Sequence, residues 1–214
     1  MMNMIRIKLP LVTALFACVG AAFVSASEVS EAVRSAMQPF IDEGEISGAV
    51  TLVVKDGEIM NFEAMGLSDL KTGREMDKND LFWIASMTKP MAGVALMMLV
   101  EEGKVNVHDL VETHLPEFKD MWMVDEESED TLVLKRPSRK ITIFDILTHT
   151  AGVPNVDEPR GHTSLAELTA LVSQQPLEFE PGSRWKYSTA GTNTVGRIVE
   201  IVSGQPFDVF LQER

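Results

Sequence analysis

The sequence predicts an α/β (α+β) fold, an antiparallel sheet flanked by helices and joined to a helical lobe. Three observations carry that expectation. An amphipathic helix pattern is followed by two short apolar runs around a two-residue turn signal. A later segment is apolar at nearly every position, as in a helix enclosed by others. Two further apolar stretches each open on the Ser/Thr-x-x-Asp/Glu pattern of a capping box.

The chain has 214 residues, enough for one compact domain or two modest lobes of a single fold. Residues 1–26 read as a separate object. Arg6 and Lys8 precede an apolar run from Leu9 to Val24, and Val24-Ser25-Ala26 offers the small residues that a signal peptidase requires. A cleaved export signal is expected, with residues 27–214 as the mature domain and a periplasmic or secreted location. Pro10, Gly20 and a run short of the ~20 residues that span a bilayer disfavour a membrane anchor. Cys18 offers lipid attachment as a third reading, ranked lower because Phe16 fits poorly there and the apolar run continues past the cysteine.

Val29, Val33, Ala36, Met37, Phe40 and Ile41 recur at helical spacing, and Gly44 is placed to stop that helix. Ala49 to Val54 and Ile59 to Met65 are strand-like runs joined by Asp56-Gly57, so a hairpin follows. A hairpin alone is marginal, and more strands must complete its sheet. From Lys89 to Val100 the residues suit a helix buried on every side, closed by Gly103. Thr142 with Asp145 and Ser164 with Glu167 should start two helices, the latter with Leu165, Leu168, Leu171 and Val172 inward. Glu180-Pro181-Gly182-Ser183 reads as a type II turn, a helix should run from about Thr194 to Ser203 with Gly204 as its cap, and Phe207 to Leu211 begins a last amphipathic turn.

Composition excludes several functions. Nineteen Lys and Arg against 32 Asp and Glu give a net charge of −13, unsuited to nucleic acid, whose phosphates require clustered cations. The densest acidic run, Asp120 to Asp130, is expected to be a solvated loop. Cys18 is the only cysteine, and it falls in the export segment, so neither a disulfide nor a thiol nucleophile is expected. His108, His114, His149 and His162 lack metal-ligand spacing; the reading calls for no metal and no cofactor.

Ser86-Met87-Thr88-Lys89 stands at the entry to the apolar helix. A spacing of three brings the Ser and Lys side chains to one side of a helical or 3₁₀ turn. Pro90 lacks an N–H, so the regular helix should begin near Lys89, with Ser86 on a tight lead-in turn whose amides can hold an oxyanion. By itself the pattern is equally that of a helix cap followed by an exposed lysine. Its surroundings decide. The run Leu81-Phe82-Trp83-Ile84-Ala85-Ser86-Met87-Thr88-Lys89-Pro90 resembles the nucleophile segment of the serine β-lactamase-like family, which holds class C β-lactamases, related esterases and D-peptidases. Leu96 to Glu102, Leu147-Thr148-His149-Thr150-Ala151-Gly152, and Phe179 to Gly204 with Pro181-Gly182 and Tyr187-Ser188, are similar to its later blocks, in the same order.

The resemblance implies a β-lactamase/transpeptidase-like fold and acyl transfer through a covalent seryl intermediate. Ser86 would attack, Lys89 would stand beside it, and Tyr187 would accept and return the proton. The substrate would be a small molecule or a piece of cell wall: an ester, a β-lactam or a D-amino-acid peptide. An ordinary tyrosine ionises only near pH 10, and a neighbouring lysine cation favours the phenolate, so Lys89 could make Tyr187 a usable base.

Two departures stand out. Where the family's tyrosine motif ends in Asn, this chain has Thr189, and a hydroxyl cannot offer both amide donor and carbonyl acceptor to an amide substrate. Thr189 as the substrate-binding residue therefore shifts the expectation toward esters, and Asn193 nearby is read as a helix cap. The family's third motif, K-T-G or H-x-G, should follow by well over a hundred residues, so the C-terminal strands are expected to be missing. Lys71-Thr72-Gly73 has the letters but precedes Ser86 and reads as a turn. A non-catalytic fragment or binding protein of the same fold is one rival reading. A Ser-His-Asp esterase using His149 is another, disfavoured by the lack of a G-x-S-x-G elbow; His149 is read as part of a turn after a helix.

Overall fold

A computed structural model describes residues 25–156 and 164–214. The expectations for residues 1–24, with Cys18, and for His162 lie outside them. The described chain forms two compact units, divided between Phe82 and Trp83.

In the first unit, α1 (Ala26–Asp42) begins at Ser25, whose hydroxyl caps the helix while Glu28 returns the bond to the Ser25 amide. It packs against β2 (Glu58–Asp69), the centre of an antiparallel sheet with β1 (Gly48–Lys55) and β3 (Arg74–Glu75). The hairpin and its turn lie where the sequence placed them. Asp56 and Gly57 both take positive φ, 50° and 81°, matching the strands' twist. Asn61, buried in β2, accepts from Thr51 at 2.8 Å and donates to Ser30 of α1 at 3.2 Å, so strand, strand and helix are tied by one satisfied polar group. Lys71-Thr72-Gly73 forms the turn into β3, with Asp69 accepting the Lys71 amide at 2.8 Å.

The second unit is built on α2 (Thr88–Glu101) and α6 (Thr189–Ser203), which pack together. α4 (Ile143–Leu147), α5 (Leu165–Ser173) and α7 (Phe207–Glu213) also lie against α6, and the short α3 (Val111–His114) precedes a 3₁₀ turn. Leu96, Leu99, Ile146, Val195, Ile198, Val199 and Phe210 are buried at the centre. Both expected capping boxes are present, with Thr142 and Ser164 accepting the N3 amides at 3.2 Å each. No described helix is long and apolar enough to cross a membrane.

Three expectations are corrected here. α2 is not enclosed on every side: Ala92, Ala95, Leu96 and Leu99 are buried, but Met91, Val94 and Met97 are about half exposed (48%, 61% and 45%). Uniform apolarity erased the periodicity that would have told one face from the other. The acidic run is not a loop. It contributes β4 (Met123–Glu127), paired with β5 (Leu132–Lys135), and Lys135 reaches Asp125 at 2.6 Å. A backbone tie fixes this hairpin, because the Val124 amide donates to the Leu177 carbonyl and the Leu177 amide to the Trp122 carbonyl, both at 2.8 Å. Finally, α6 starts at Thr189 rather than near Thr194, because its first amides find acceptors in Ser188 and Asn155.

Candidate active site

Ser86 sits on a single 3₁₀ turn, Ala85–Met87, that leads directly into α2. Ala85 has φ 45°, an unusual backbone for a residue with a Cβ, and it precedes the exposed Ser86. Lys89, on the first turn of α2, donates from Nζ to Ser86 Oγ at 3.1 Å. The expected lead-in turn and the side-by-side Ser and Lys are both found.

Tyr187 arrives from the far end of the chain. Its hydroxyl lies 2.8 Å from Ser86 Oγ, and Lys89 Nζ stands 4.8 Å from the centre of its ring. The interaction with Lys89, then the hydrogen bond with Ser86, holds the phenol below its ordinary value of 10. Ser86, Lys89 and Tyr187 thus form one constellation, with the Lys89 amine and the Tyr187 phenol both against the Ser86 hydroxyl.

The Tyr187 segment is held from both sides by one residue. The His149 carbonyl accepts the Lys186 amide at 2.9 Å, and His149 Nδ1 accepts the Ser188 amide at 3.2 Å. To present both acceptors, His149 adopts φ 59° on the turn after α4. Its ring lies 4.8 Å from that of Tyr187 and 6.0 Å, edge to face, from that of Trp185. Burial, then the charge of Lys89, pushes its pKa below the usual 6.5, and Nδ1, as the acceptor of the Ser188 amide, leaves Nε2 as the ring's donor. A triad histidine is oriented by a carboxylate at Nδ1, and here that position is taken by a backbone amide. Gly152, three residues on, has φ 76°, and a Cβ there would come within 2.5 Å of the Phe179 carbonyl, so the close crossing of these loops requires glycine.

Asn155 went unnoticed in the sequence. Its Oδ1 accepts the Thr189 amide at 2.7 Å and the Ala190 amide at 3.2 Å, and Ser188 Oγ accepts from Gly191 at 3.0 Å. Together they start α6 two residues after Tyr187 and so fix where the tyrosine leaves the loop. No local pattern marks a cap supplied from 34 residues away. Asn193 is four residues inside α6 and is not its cap. Thr189 is exposed on the first position of that helix. His108 stacks near Phe144 at 5.7 Å, and His114 pairs with Asp109 at 3.0 Å.

Comparison with known proteins places these features in context. The family model described as Beta-lactamase matches residues 33–214. Esterase EstB of Burkholderia gladioli is 31% identical over 199 residues, covering 86% of this chain and 48% of that protein. An N-acetylmuramyl-L-alanine amidase of Bacillus subtilis (strain 168) is 32% identical over 182 residues, covering 78% and 39%. Among solved structures, EstCE1, a hydrolase with promiscuous acyltransferase activity, superposes with a TM-score of 0.73 at 27% identity, covering 88% of this chain and 50% of the other. The chain spans about half the length of the curated relatives it matches or less.

Proposed function

We propose, from the premise that this chain belongs to the beta-lactamase family, that it carries the nucleophile of an exported serine hydrolase working through an acyl-enzyme on Ser86. The observation that carries this reading is the contact of Tyr187 and Lys89 with one Ser86 Oγ, at 2.8 and 3.1 Å. In the reactive form, the Tyr187 phenolate takes the Ser86 proton as Oγ attacks the acyl carbonyl. The resulting oxyanion is held at the amide of the 3₁₀ turn. As the bond to the leaving group breaks, Tyr187 hands that proton to the departing oxygen or nitrogen. Water then repeats the sequence to free Ser86. Lys89, beside the ring and the Ser86 hydroxyl, stabilises the phenolate.

An ester is the preferred substrate, over a β-lactam or D-amino-acid peptide, because Thr189 stands where an amide-recognising side chain would be expected. The product would be a free carboxylic acid, released in the periplasm or outside the cell if the basic-apolar-small pattern of residues 1–26 acts as an export signal. The test is covalent capture by a fluorophosphonate, read as an intact-mass increment. Wild type should label, Ser86→Ala should not, and His149→Ala should keep part of its labelling. Equal labelling of Ser86→Ala would overturn the assignment.

A further inference from the structure

Away from Ser86, the second unit holds a cavity of about 340 Å³, at the lower end of the range for small-molecule sites. Its walls include none of Ser86, Lys89 and Tyr187. Phe118, Ile141 and Leu177 supply buried apolar surface, and Arg136, Arg139 and Lys140 stand exposed among its walls. This is unusual in a chain of net charge −13, because four of its 19 cations fall between residues 135 and 140.

The three lining cations are not equivalent. Arg139 grips Asp145 with two bonds, of 2.6 and 2.7 Å, and Lys140 contacts Glu112 at 2.5 Å, so both charges are matched. Among the described residues Arg136 joins no ion pair. It donates to the carbonyls of Asp120 and Met121 and lies with Cζ 3.7 Å from the Trp122 ring centre. Neutral partners orient the guanidinium without cancelling its charge, and a guanidinium has five N–H donors, more than these carbonyls use.

We infer that this cavity is a second binding site, for a small organic anion with an apolar body, a carboxylate or a phosphate monoester, whose charge meets Arg136 and whose body lies on Phe118, Ile141 and Leu177. Charge selects the ligand at the rim and apolar contact holds it, the usual division of labour in such pockets. The inference does not depend on the reading of Ser86.

Isothermal titration of the whole chain tests it, with benzoate, phenyl phosphate, inorganic phosphate and neutral benzyl alcohol as probes. At least one aromatic anion should bind saturably with one site, and whichever binds tighter assigns the head group. Benzyl alcohol and inorganic phosphate, each lacking half of the recognition, should bind at least tenfold more weakly. Arg136→Gln should lose at least tenfold in affinity with an unchanged circular dichroism spectrum, and Arg136→Lys should recover part of it. Phosphonylation of Ser86, or Ser86→Ala, should leave binding intact. Absence of saturable binding by both aromatic anions, undiminished binding in Arg136→Gln, or loss of binding on blocking Ser86 would each overturn the proposal.

Discussion

Replacing Asp145 with alanine should destabilise the second unit more than any other single polar substitution near the site. Asp145 is buried, and its carboxylate takes two bonds from Arg139, the Thr142 amide at 2.9 Å and the Thr142 hydroxyl at 2.7 Å. Removing one partner of a buried ion pair typically costs about 3–5 kcal/mol. Arg139 is 44% exposed and can recover solvent, which brings the pair's share to about 2 kcal/mol. Loss of the reciprocal capping bond at α4 adds about 1 kcal/mol. With a urea dependence of about 2 kcal/mol per molar, the midpoint should fall by about 1.5 M at low micromolar protein, with an unchanged slope. Burial pushes this carboxyl up, but the bonds from Arg139 and Thr142 outweigh it and hold its pKa below the ordinary 3.8. Its stabilising contribution is therefore fully present above pH 3.8 and lost as pH falls through the lowered folded value. Wild type should accordingly lose stability on acidification below about pH 4, and Asp145→Asn should lose less over the same interval. A midpoint shift under about 0.5 M for Asp145→Ala would refute the reasoning, since it would mean the pair contributes no more than a surface contact.

Because Lys89 leads the lowering of the Tyr187 pKa, the rate of Ser86 phosphonylation should rise with pH through a value below 10, and Lys89→Met should move that rise to higher pH as well as slow the reaction. An unmoved profile in Lys89→Met would exclude Tyr187 as the titrating base. Asn155→Ala should cost about 1 kcal/mol by removing the acceptor of the first two α6 amides, and should slow labelling without altering its pH dependence. N-terminal sequencing of exported material should begin at Ser27; cleavage there removes Ser25 and with it the cap of α1, whereas a soluble cytoplasmic product retaining Met1 would rule the export signal out.

The sequence alone determined the parts whose cause is local. Helix starts at Thr142 and Ser164 follow from side chains that reach amides three residues on, the β1–β2 turn from Asp56-Gly57, and the meeting of Ser86 with Lys89 from one turn of helix. Resemblance brought Tyr187 to the list of site residues, but nothing local could place its hydroxyl against a serine 101 positions earlier. That contact depends on the packing of α2 against α6 and on His149 and Asn155 gripping the chain around Tyr187 from other loops. The same holds for β4 and β5. The acidic residues of β4 read as solvated loop, and only its pairing with β5 and the backbone bonds to Leu177 reveal a strand, because a peptide amide pairs with whatever carbonyl the fold brings to it, whatever the side chain between them.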